Sequence, residues 1–305
     1  MVSWQTRALE IYLRINRVFS GNSNELNVAK ERAEVESMAS LFKPMGEIRC
    51  EPVSANGIPA EWIIPKEEKH GRAILFLHGG SFNSGSIISH RTLAGNVALA
   101  SRARALLIDY RLAPEHPFPA GINDTVTAYE WLIAQGFAPN QIVVAGDSAG
   151  GTLTLNLLIH LRDNNKALPV AAMCLSPAPD LTFSGESWVY NARKDLMLVE
   201  SKERKSIEIY LKEVDPRSPL ASPSFAELHG LPPLLIQIGS YELLLSDVER
   251  FAEKAKTAGV DVTLDVWQGM QHEWQFAAKF LPEGKRAIFR IGEFVETIFS
   301  QSKSS

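Results

Sequence analysis

The sequence predicts an α/β fold: an eight-stranded, mostly parallel sheet with helices on both faces and a helical cap. Two observations lead to this prediction. Short β-rich runs alternate along the chain with longer stretches of helical periodicity, the pattern of a sheet wound with crossover helices. Several of the runs, among them residues 73–77, 142–145 and 234–238, are almost wholly apolar. Such runs are typical of parallel strands that helices cover on both faces.

The elements follow in chain order. The first 45 residues have helical periodicity with a break near Gly21 and Asn22, which predicts two helices. Strands are expected at about residues 47–53, 60–64, 72–78, 104–109, 141–146, 170–176, 234–238 and 262–267. Further helices are expected at about residues 87–101, 124–136, 149–163, 245–258 and 285–299. Because Asn56-Gly57 between the first two strands is a strong hairpin signal, the sheet should begin antiparallel and continue parallel.

One stretch, residues 177–230, does not follow this alternation. It contains helical stretches without a clear strand and a proline-rich passage at residues 215–223. We expect an insertion, about residues 180–225, that lies over the carboxyl edge of the sheet. The predicted organisation is therefore cap helices in residues 1–45, a catalytic domain in residues 46–300 that carries the cap insertion, and a polar tail in residues 301–305.

Composition excludes several classes of protein. The net charge of −4 is spread along the chain without a basic block, which argues against nucleic-acid binding. No apolar run approaches the length of a membrane helix, and charged residues such as Arg7 and Arg14 interrupt any signal-peptide core. Two cysteines, Cys50 and Cys174, are too few for a disulfide framework. We therefore expect a cytoplasmic protein with no membrane and no nucleic-acid partner.

A nucleophile motif is the strongest chemical signal. Residues 146–150, Gly-Asp-Ser-Ala-Gly, match Gly-x-Ser-x-Gly between a predicted strand and a predicted helix. In that context the motif is the nucleophile elbow of α/β-hydrolases, whose tight turn needs small flanking residues and exposes the serine hydroxyl. Ser148 is the predicted nucleophile and Asp147 a residue that supports the motif. The alternative is a glycine turn that cradles a phosphate at a helix N-terminus.

A serine nucleophile needs a base, and the base needs an orienting acid. Among seven histidines, His272 is the one that follows the last predicted strand, at the edge where Ser148 is expected. His160 lies within a helix, and His70, His90 and His229 lack such a context. Both Glu242 and Asp247 follow the strand at residues 234–238 and are candidates for the orienting acid. Their position alone does not decide between them.

The tetrahedral intermediate needs hydrogen-bond donors for its oxyanion. His78-Gly79-Gly80 ends the strand at residues 73–77, and adjacent glycines leave backbone N–H groups open to a ligand. Together with Ala149 N–H, the N–H groups of Gly79 and Gly80 are expected to form a three-donor hole. His78 is expected to pack within the loop and support the motif.

These residues resemble the hormone-sensitive-lipase family of bacterial-type carboxylesterases, within the α/β-hydrolase fold. The resemblance covers about residues 45–300. It rests on ordered motifs at residues 78–82 (His-Gly-Gly-Ser-Phe), 109–120, 146–151 (Gly-Asp-Ser-Ala-Gly-Gly), 218–221 and 231–235. It implies a serine esterase that needs no metal and no organic cofactor and acts on a small-molecule ester.

The resemblance also assigns further residues. The family's acid stands 30 positions before its histidine, which selects Glu242 over Asp247. Two departures are visible, because most members have Asp at that position and often a third glycine where this chain has Ser81. The family's signature segment implies that Asp109, Arg111 and Glu115 tie loops together.

The resemblance further implies that the cap lines the substrate pocket and that the last strand, residues 262–267, forms a homodimer. Aromatic and methionine side chains of the cap segments are candidate pocket walls: Trp4, Phe19, Phe42, Phe82, Trp188 and Met197. We expect soluble esters with acyl chains of about two to eight carbons.

Three alternatives stay open on sequence grounds. The same triad could cleave an amide or remove an acetyl group. A small-molecule receptor on this fold is another reading, although known receptors of this kind have lost the histidine that this chain keeps. A Ser-x-x-Lys pattern at Ser40 and Lys43 could also form a second type of catalytic centre, but its companion Lys-Thr-Gly motif is absent.

Overall fold

The computed structural model describes residues 2–19, 26–39 and 41–301. Its strands are β1 (Ile48–Ala55), β2 (Ile58–Pro65), β3 (Ala73–Leu77), β4 (Arg104–Ile108), β5 (Ile142–Asp147), β6 (Ala171–Leu175), β7 (Leu234–Gly239) and β8 (Val262–Trp267). Its helices are α1 (Trp4–Phe19), α2 (Val28–Ala39), α3 (Ile87–Ser101), α4 (Ala120–Ala134), α5 (Ala149–Asp163), α6 (Ser187–Tyr190), α7 (Glu200–Leu211), α8 (Leu245–Thr257) and α9 (Pro282–Gln301).

The eight strands form one sheet in the order β1-β2-β4-β3-β5-β6-β7-β8. β1 and β2 form an antiparallel hairpin closed by Asn56 and Gly57, both with positive φ, as the Asn-Gly signal predicts. β2 also pairs antiparallel with β4, and every later pairing is parallel. The predicted eight-stranded, mostly parallel sheet is therefore confirmed.

Two apolar cores lie on the two faces of the sheet, because successive strand side chains point to opposite sides. On β3, Leu75 and Leu77 belong to the core shared with α4, α5 and α8, whereas Ile74 and Phe76 belong to the core shared with α3 and α9. All four side chains are fully buried. Helix cover on both faces explains why the parallel strands read as unbroken apolar runs.

Helix boundaries differ from the expectation chiefly in α4 and α9. α4 begins at Ala120 and not at residue 124, and α9 spans Pro282–Gln301 and not 285–299. Gly121 weakens the sequence signal at the start of α4, and a Cβ at this position would lie 3.2 Å from the ring of Tyr110. The expected break near Gly21 and Asn22 lies outside the described residues.

The N-terminal helices contact two different regions. At the start of α1, Ser3 Oγ and Thr6 Oγ1 donate to Glu283 Oε2 of α9 at 2.8 and 2.9 Å. On α2, Glu31 forms an ion pair with Lys202 of α7, with 3.5 Å between the charged atoms. α2 therefore contacts the insertion, and through Arg32 it also contacts Asn83 and Glu115 of the main domain, while the described start of α1 contacts α9. The ion pair between α2 and α7 agrees with a cap that combines residues 1–45 with about 180–225, and this division of the chain remains a prediction.

Within the described ranges, no helix has both the length and the apolar character needed to cross a membrane.

Candidate active site

Ser148 stands in a strained turn between β5 and α5. Its backbone has φ 48° and ψ −119°, a region that non-glycine residues rarely occupy. Its N–H donates to Leu175 O at the end of β6, with a distance of 2.8 Å. A Cβ on Gly150 would lie 2.0 Å from Leu77 O, and one on Gly146 would lie 2.3 Å from Gly150 O. Gly146 and Gly150 are therefore required, because the backbone passes too close to these positions to leave room for a Cβ.

The structure brings Ser148, His272 and Glu242 together. His272 Nε2 lies 3.0 Å from Ser148 Oγ, and His272 Nδ1 lies 2.7 Å from Glu242 Oε2. All three side chains are buried, with Glu242 fully inaccessible. Both contacts are within hydrogen-bonding distance for a serine, its base and an orienting acid.

Glu242 is fixed through its second carboxylate oxygen. Ser176 Oγ donates to Glu242 Oε1 at 2.8 Å, and Gly239 N–H donates to the same atom. Burial raises the pKa of Glu242, while the hydrogen bond and charge of His272 act in the opposite direction. The carboxylate consequently presents one oxygen to His272 and holds the other at the ends of β6 and β7.

The insertion anchors the loops that carry the acid and the histidine. Asn191 Nδ2 donates to Glu242 O at 2.9 Å, and Asp195 Oδ2 accepts from Leu243 N–H at 2.8 Å. Gln271 Oε1 accepts from Leu196 N–H at 2.8 Å. Sequence reasoning did not identify these anchors, because no local pattern links them to residues so far along the chain.

Asp247, the other candidate acid, belongs to a separate cluster. Its carboxylate accepts a hydrogen bond of 2.8 Å from Trp188 Nε1 and pairs with Arg250. Burial raises its pKa to about 6, although Trp188 and Arg250 act in the opposite direction. The structure therefore places Glu242, and not Asp247, against His272.

The structure corrects the expected role of Gly79. Its N–H donates to Asp147 Oδ2 at 3.1 Å, with His90 Nε2 also within 3.2 Å, so it is already engaged below the loop. A Cβ on Gly79 would lie 2.4 Å from Asp147 Oδ2, which explains the glycine. Among the described contacts, the N–H groups of Gly80 and Ala149 have no acceptor.

His78 packs beneath this loop. Its ring stacks on Tyr110 with centroids 4.2 Å apart, and its backbone oxygen accepts a hydrogen bond of 2.7 Å from Tyr110 Oη. Burial and the neighbouring His90 lower its pKa to about 3, which makes the ring neutral near pH 7. Its ring contacts Tyr110, His90 and Gly79 O, and Ser148 Oγ contacts His272, so His78 supports the loop and is not the base.

His90, Asp147 and Glu273 form a cluster that sequence reasoning missed. His90 Nε2 lies 3.1 Å from Asp147 Oδ2, and Glu273 Oε1 lies 3.6 Å from Nε2 of His272. Burial and the Asp147 carboxylate raise the pKa of Glu273 well above its ordinary value. Burial alone would raise the pKa of Asp147 as well, but His90 and Glu273 lower it. A protonated Glu273 beside an ionised Asp147 is the arrangement that these directions favour.

This cluster also offers three candidate metal ligands, since one ligand atom from each of His90, Asp147 and Glu273 lies within 4.8 Å of the others. Asp147 Oδ2 already accepts from Gly79 N–H and contacts His90 Nε2. The atoms therefore fit a hydrogen-bonded support for the oxyanion loop. The position of Glu273, directly after His272, is the signal that could have revealed it.

The charge state of His272 depends on these neighbours. Burial disfavours the imidazolium, but Glu273, Glu242 and Asp195 outweigh it and raise the His272 pKa. A protonated Glu273 carries no charge and cannot stabilise the imidazolium. The raised pKa of His272 therefore depends mainly on its contact with the Glu242 carboxylate.

An apolar cavity opens beside Ser148. Its free volume is only about 20 Å³, so the space beside Ser148 is narrow. Of the candidate walls, Phe82 and Trp188 line it, whereas Trp4, Phe42 and Met197 do not. Trp4 is mostly exposed and Phe42 packs against Phe276. The side chain of Phe19 and the whole of Ser40, from the Ser-x-x-Lys pattern, lie outside the described part of the chain.

The signature segment makes the expected loop contacts. Arg111 Nη2 pairs with Asp124 at 2.7 Å, and Glu115 pairs with Arg32 of α2 at 2.7 Å. Asp109 Oδ1 accepts from Ile87 N–H at 3.1 Å. These contacts position loops around the site and do not reach Ser148.

Comparison with known proteins places this site in a family. A family model described as alpha/beta hydrolase fold matches residues 74–276. An acetyl-hydrolase of Streptomyces hygroscopicus is 40% identical over 296 residues, which are 97% of this chain and 93% of the relative. An esterase of Acinetobacter venetianus is 34% identical over 279 residues, 90% of this chain and 91% of the relative. A crystal structure of an esterase from the bacterial hormone-sensitive lipase family has a TM-score of 0.92 at 40% identity, covering 98% of this chain and 99% of that one.

The sheet order, the strained serine turn and the histidine after β8 define the α/β-hydrolase class of proteins. Within that class, the chain belongs to the hormone-sensitive-lipase family of esterases, as its motifs predict.

Proposed function

We propose that this carboxylic ester hydrolase cleaves short- to medium-chain esters through an acyl-enzyme, with Ser148 as nucleophile. His272 is the general base and then the general acid, and Glu242 orients its ring. The observation that carries the proposal is the continuous chain of contacts from Glu242 Oε2 through His272 to Ser148 Oγ, at 2.7 and 3.0 Å.

Each step follows from these positions. Ser148 Oγ attacks the ester carbonyl carbon and passes its proton to His272 Nε2. Collapse of the tetrahedral intermediate breaks the ester bond, and the imidazolium gives the proton to the departing alcohol. Water then attacks the acyl-enzyme with His272 again as base, which releases the acid and restores Ser148.

The oxyanion hole in this proposal consists of the N–H groups of Gly80 and Ala149, with Ser81 N–H in place of Gly79. Ser81 and Ala149 line the cavity together with Ser148. Gly79 N–H is already bonded to Asp147, so its part is to hold the loop. The first helical turn of α5 adds a favourable dipole at the oxyanion.

Hydrolysis of p-nitrophenyl butyrate tests the proposal. Wild type should turn over, and Ser148→Ala should lose activity by a factor of about 10⁴ or more. Thermal unfolding of the variant serves as the control for folding. A Ser148→Ala variant that keeps wild-type rates would refute this mechanism, and wild type that binds the ester without turnover would favour a receptor.

Short acyl chains are favoured by the size of the cavity. Its free volume of about 20 Å³ is far below the usual range for small-molecule pockets, and the apolar side chains of Phe82 and Trp188 narrow it. We therefore expect a higher kcat/KM for p-nitrophenyl butyrate than for the palmitate ester. The reverse order would contradict this part of the proposal.

Removal of an acetyl group is the second candidate, favoured by the name of the Streptomyces relative. The same triad could act on an acetyl ester or an acetyl amide. Rates on p-nitrophenyl acetate and p-nitroacetanilide, measured side by side, distinguish the two substrates.

We also propose a homodimer formed through β8. β8 is an edge strand of the described sheet, and its side chains from Thr263 to Trp267 are partly exposed. Edge strands present unpaired backbone groups that a second copy can bond. Sedimentation of wild type and Leu264→Pro tests this proposal, because the parallel ladder with β7 leaves Leu264 N–H on the outer edge. An unchanged dimer in the variant, or a monomeric wild type, would contradict it.

A further inference from the structure

A carboxylate stands in the wall of the otherwise apolar cavity. Glu203 of α7 lines it together with Ser148, Trp188 and Ile207. Glu203 and Ile207 are four residues apart, so they lie on the same face of α7. Of the described residues that line this cavity, Glu203 is the sole acidic or basic one.

Glu203 has one bond to the oxyanion loop. Ser81 Oγ donates to Glu203 Oε2 at 2.8 Å, and Ser81 is the residue that replaces the third glycine expected of the family. This contact uses one oxygen of the carboxylate. Among the described hydrogen bonds and ion pairs, Glu203 Oε1 has no partner of its own.

The cations on either side of Glu203 are engaged elsewhere. Lys202 pairs with Glu31 at 3.5 Å, and Arg204 pairs with Glu200 at 2.8 Å. Burial raises the pKa of Glu203, and the acids Glu31 and Asp195 act in the same direction, while the Ser81 hydrogen bond and the charge of His272 act in the opposite direction. The cavity therefore holds an acidic group whose charge no basic side chain of the described ranges neutralises by an ion pair.

A ligand that brings a cationic donor to this carboxylate would form a charge-assisted hydrogen bond in a largely apolar wall, where such bonds are strong. A carboxylate-bearing ligand would meet repulsion. We propose that Glu203 is a specificity-determining residue, which selects esters that carry a protonated amine a few atoms from the scissile bond. This inference rests on the proposed esterase function and names its substrate class.

Matched substrates test it. One pair places the amine in the alcohol: 2-(dimethylamino)ethyl butyrate and its carbon isostere 3-methylbutyl butyrate. The other places it in the acyl group: ethyl 4-(dimethylamino)butanoate and ethyl 5-methylhexanoate. The readout is the ratio of kcat/KM, amine over isostere, by acid release at pH 7. Dividing the wild-type ratio by that of Glu203→Gln cancels the intrinsic reactivity of each ester.

The quotient should reach about tenfold in at least one pair, the discrimination expected of a charge-assisted hydrogen bond. A quotient below fivefold in both pairs overturns the inference. Glu200→Gln is the matched control on the exposed part of α7, and its ratios should equal those of wild type. If Glu200→Gln lowers the ratio as much as Glu203→Gln, the effect is a long-range charge effect and the inference fails.

Two further measurements separate this result from misfolding and from failure of the esterase proposal. Thermal unfolding of Glu203→Gln shows whether the variant is folded, and because the ratio compares two substrates of the same variant, a uniform loss of rate does not affect it. In wild type alone, 2-(dimethylamino)ethanol should inhibit more strongly than 3-methylbutanol, and equal inhibition overturns an amine site in the alcohol pocket. If wild type hydrolyses neither isostere nor p-nitrophenyl butyrate, the proposed function fails, and this inference fails with it.

Discussion

Replacing Glu242 by glutamine tests how the acid controls the histidine. Glu242 Oε1 accepts from both Gly239 N–H and Ser176 Oγ. In Glu242→Gln, the amide oxygen must stay at that position to satisfy both donors. The amide NH₂ then faces His272 Nδ1, which lies 2.7 Å from the second oxygen in wild type.

This orientation forces the wrong tautomer. A donor facing Nδ1 requires Nδ1 to be unprotonated, so the ring proton moves to Nε2, the atom that faces Ser148. A protonated Nε2 cannot take the serine proton. By comparison with the same change in other triads, kcat should fall by a factor of about 10³–10⁴, or about 4–5.5 kcal/mol in the barrier, with KM nearly unchanged.

The assay is steady-state hydrolysis of p-nitrophenyl butyrate by wild type, Glu242→Gln and Glu242→Asp. The aspartate variant keeps the charge and loses one methylene, so its loss should be smaller than that of the glutamine variant. Asp247→Asn is the matched control, because it makes the same acid-to-amide change in a buried acid that contacts Trp188 and Arg250. A Glu242→Gln enzyme within tenfold of wild type, or a larger loss in Asp247→Asn, would refute the argument.

Four further predictions follow from the structure. Because the pKa of His272 is raised, the acidic limb of kcat/KM against pH should have its midpoint above 6.5, and a midpoint below 6 would contradict the contacts that raise it. The pKa of Asp247 is raised to about 6, so wild type should lose stability relative to Asp247→Asn as pH rises from 4 to 7, by up to about 2–3 kcal/mol in urea unfolding. Gly150→Ala would place a Cβ 2.0 Å from Leu77 O, and thermal unfolding should show a loss of about 3 kcal/mol or more. Glu273→Gln mimics the protonated carboxyl. Wild type should therefore lose melting temperature relative to this variant as pH rises through the raised pKa of Glu273. A difference in melting temperature that does not change with pH would contradict the raised pKa.

Much of the fold follows from local pattern. The apolar runs predict β3, β5 and β7, because a strand buried on both faces contains few polar residues. The Asn56-Gly57 pair likewise predicts its own turn. The expected start of α4 was wrong, because Gly121 lowers helix propensity at a position where the chain is helical and the ring of Tyr110 lies close. Helix propensity depends on the residues of the segment itself, whereas packing depends on residues that are distant along the chain.

Some residues of the site could also be predicted from local sequence, and others could not. The motif around Ser148 could be read directly, because its glycines are required by contacts within one turn and the adjacent strand. His90 and Glu273 escaped notice, since they act through Asp147, which is distant from His90 along the chain. The engagement of Gly79 N–H also depends on where Asp147 lies.

The sequence by itself determined the class of sheet, the nucleophile turn and the order of serine, acid and histidine along the chain. Its residues alone left Glu242 and Asp247 open, and the family spacing was needed to choose between them. Only the tertiary structure decided which carboxylate faces His272, which N–H groups remain open and which side chains line the cavity. The physical reason is adjacency: β5, β6, β7 and β8 are neighbours, so loops from distant parts of the chain meet at their carboxyl ends. Contacts made there depend on the sheet order, which no local periodicity encodes.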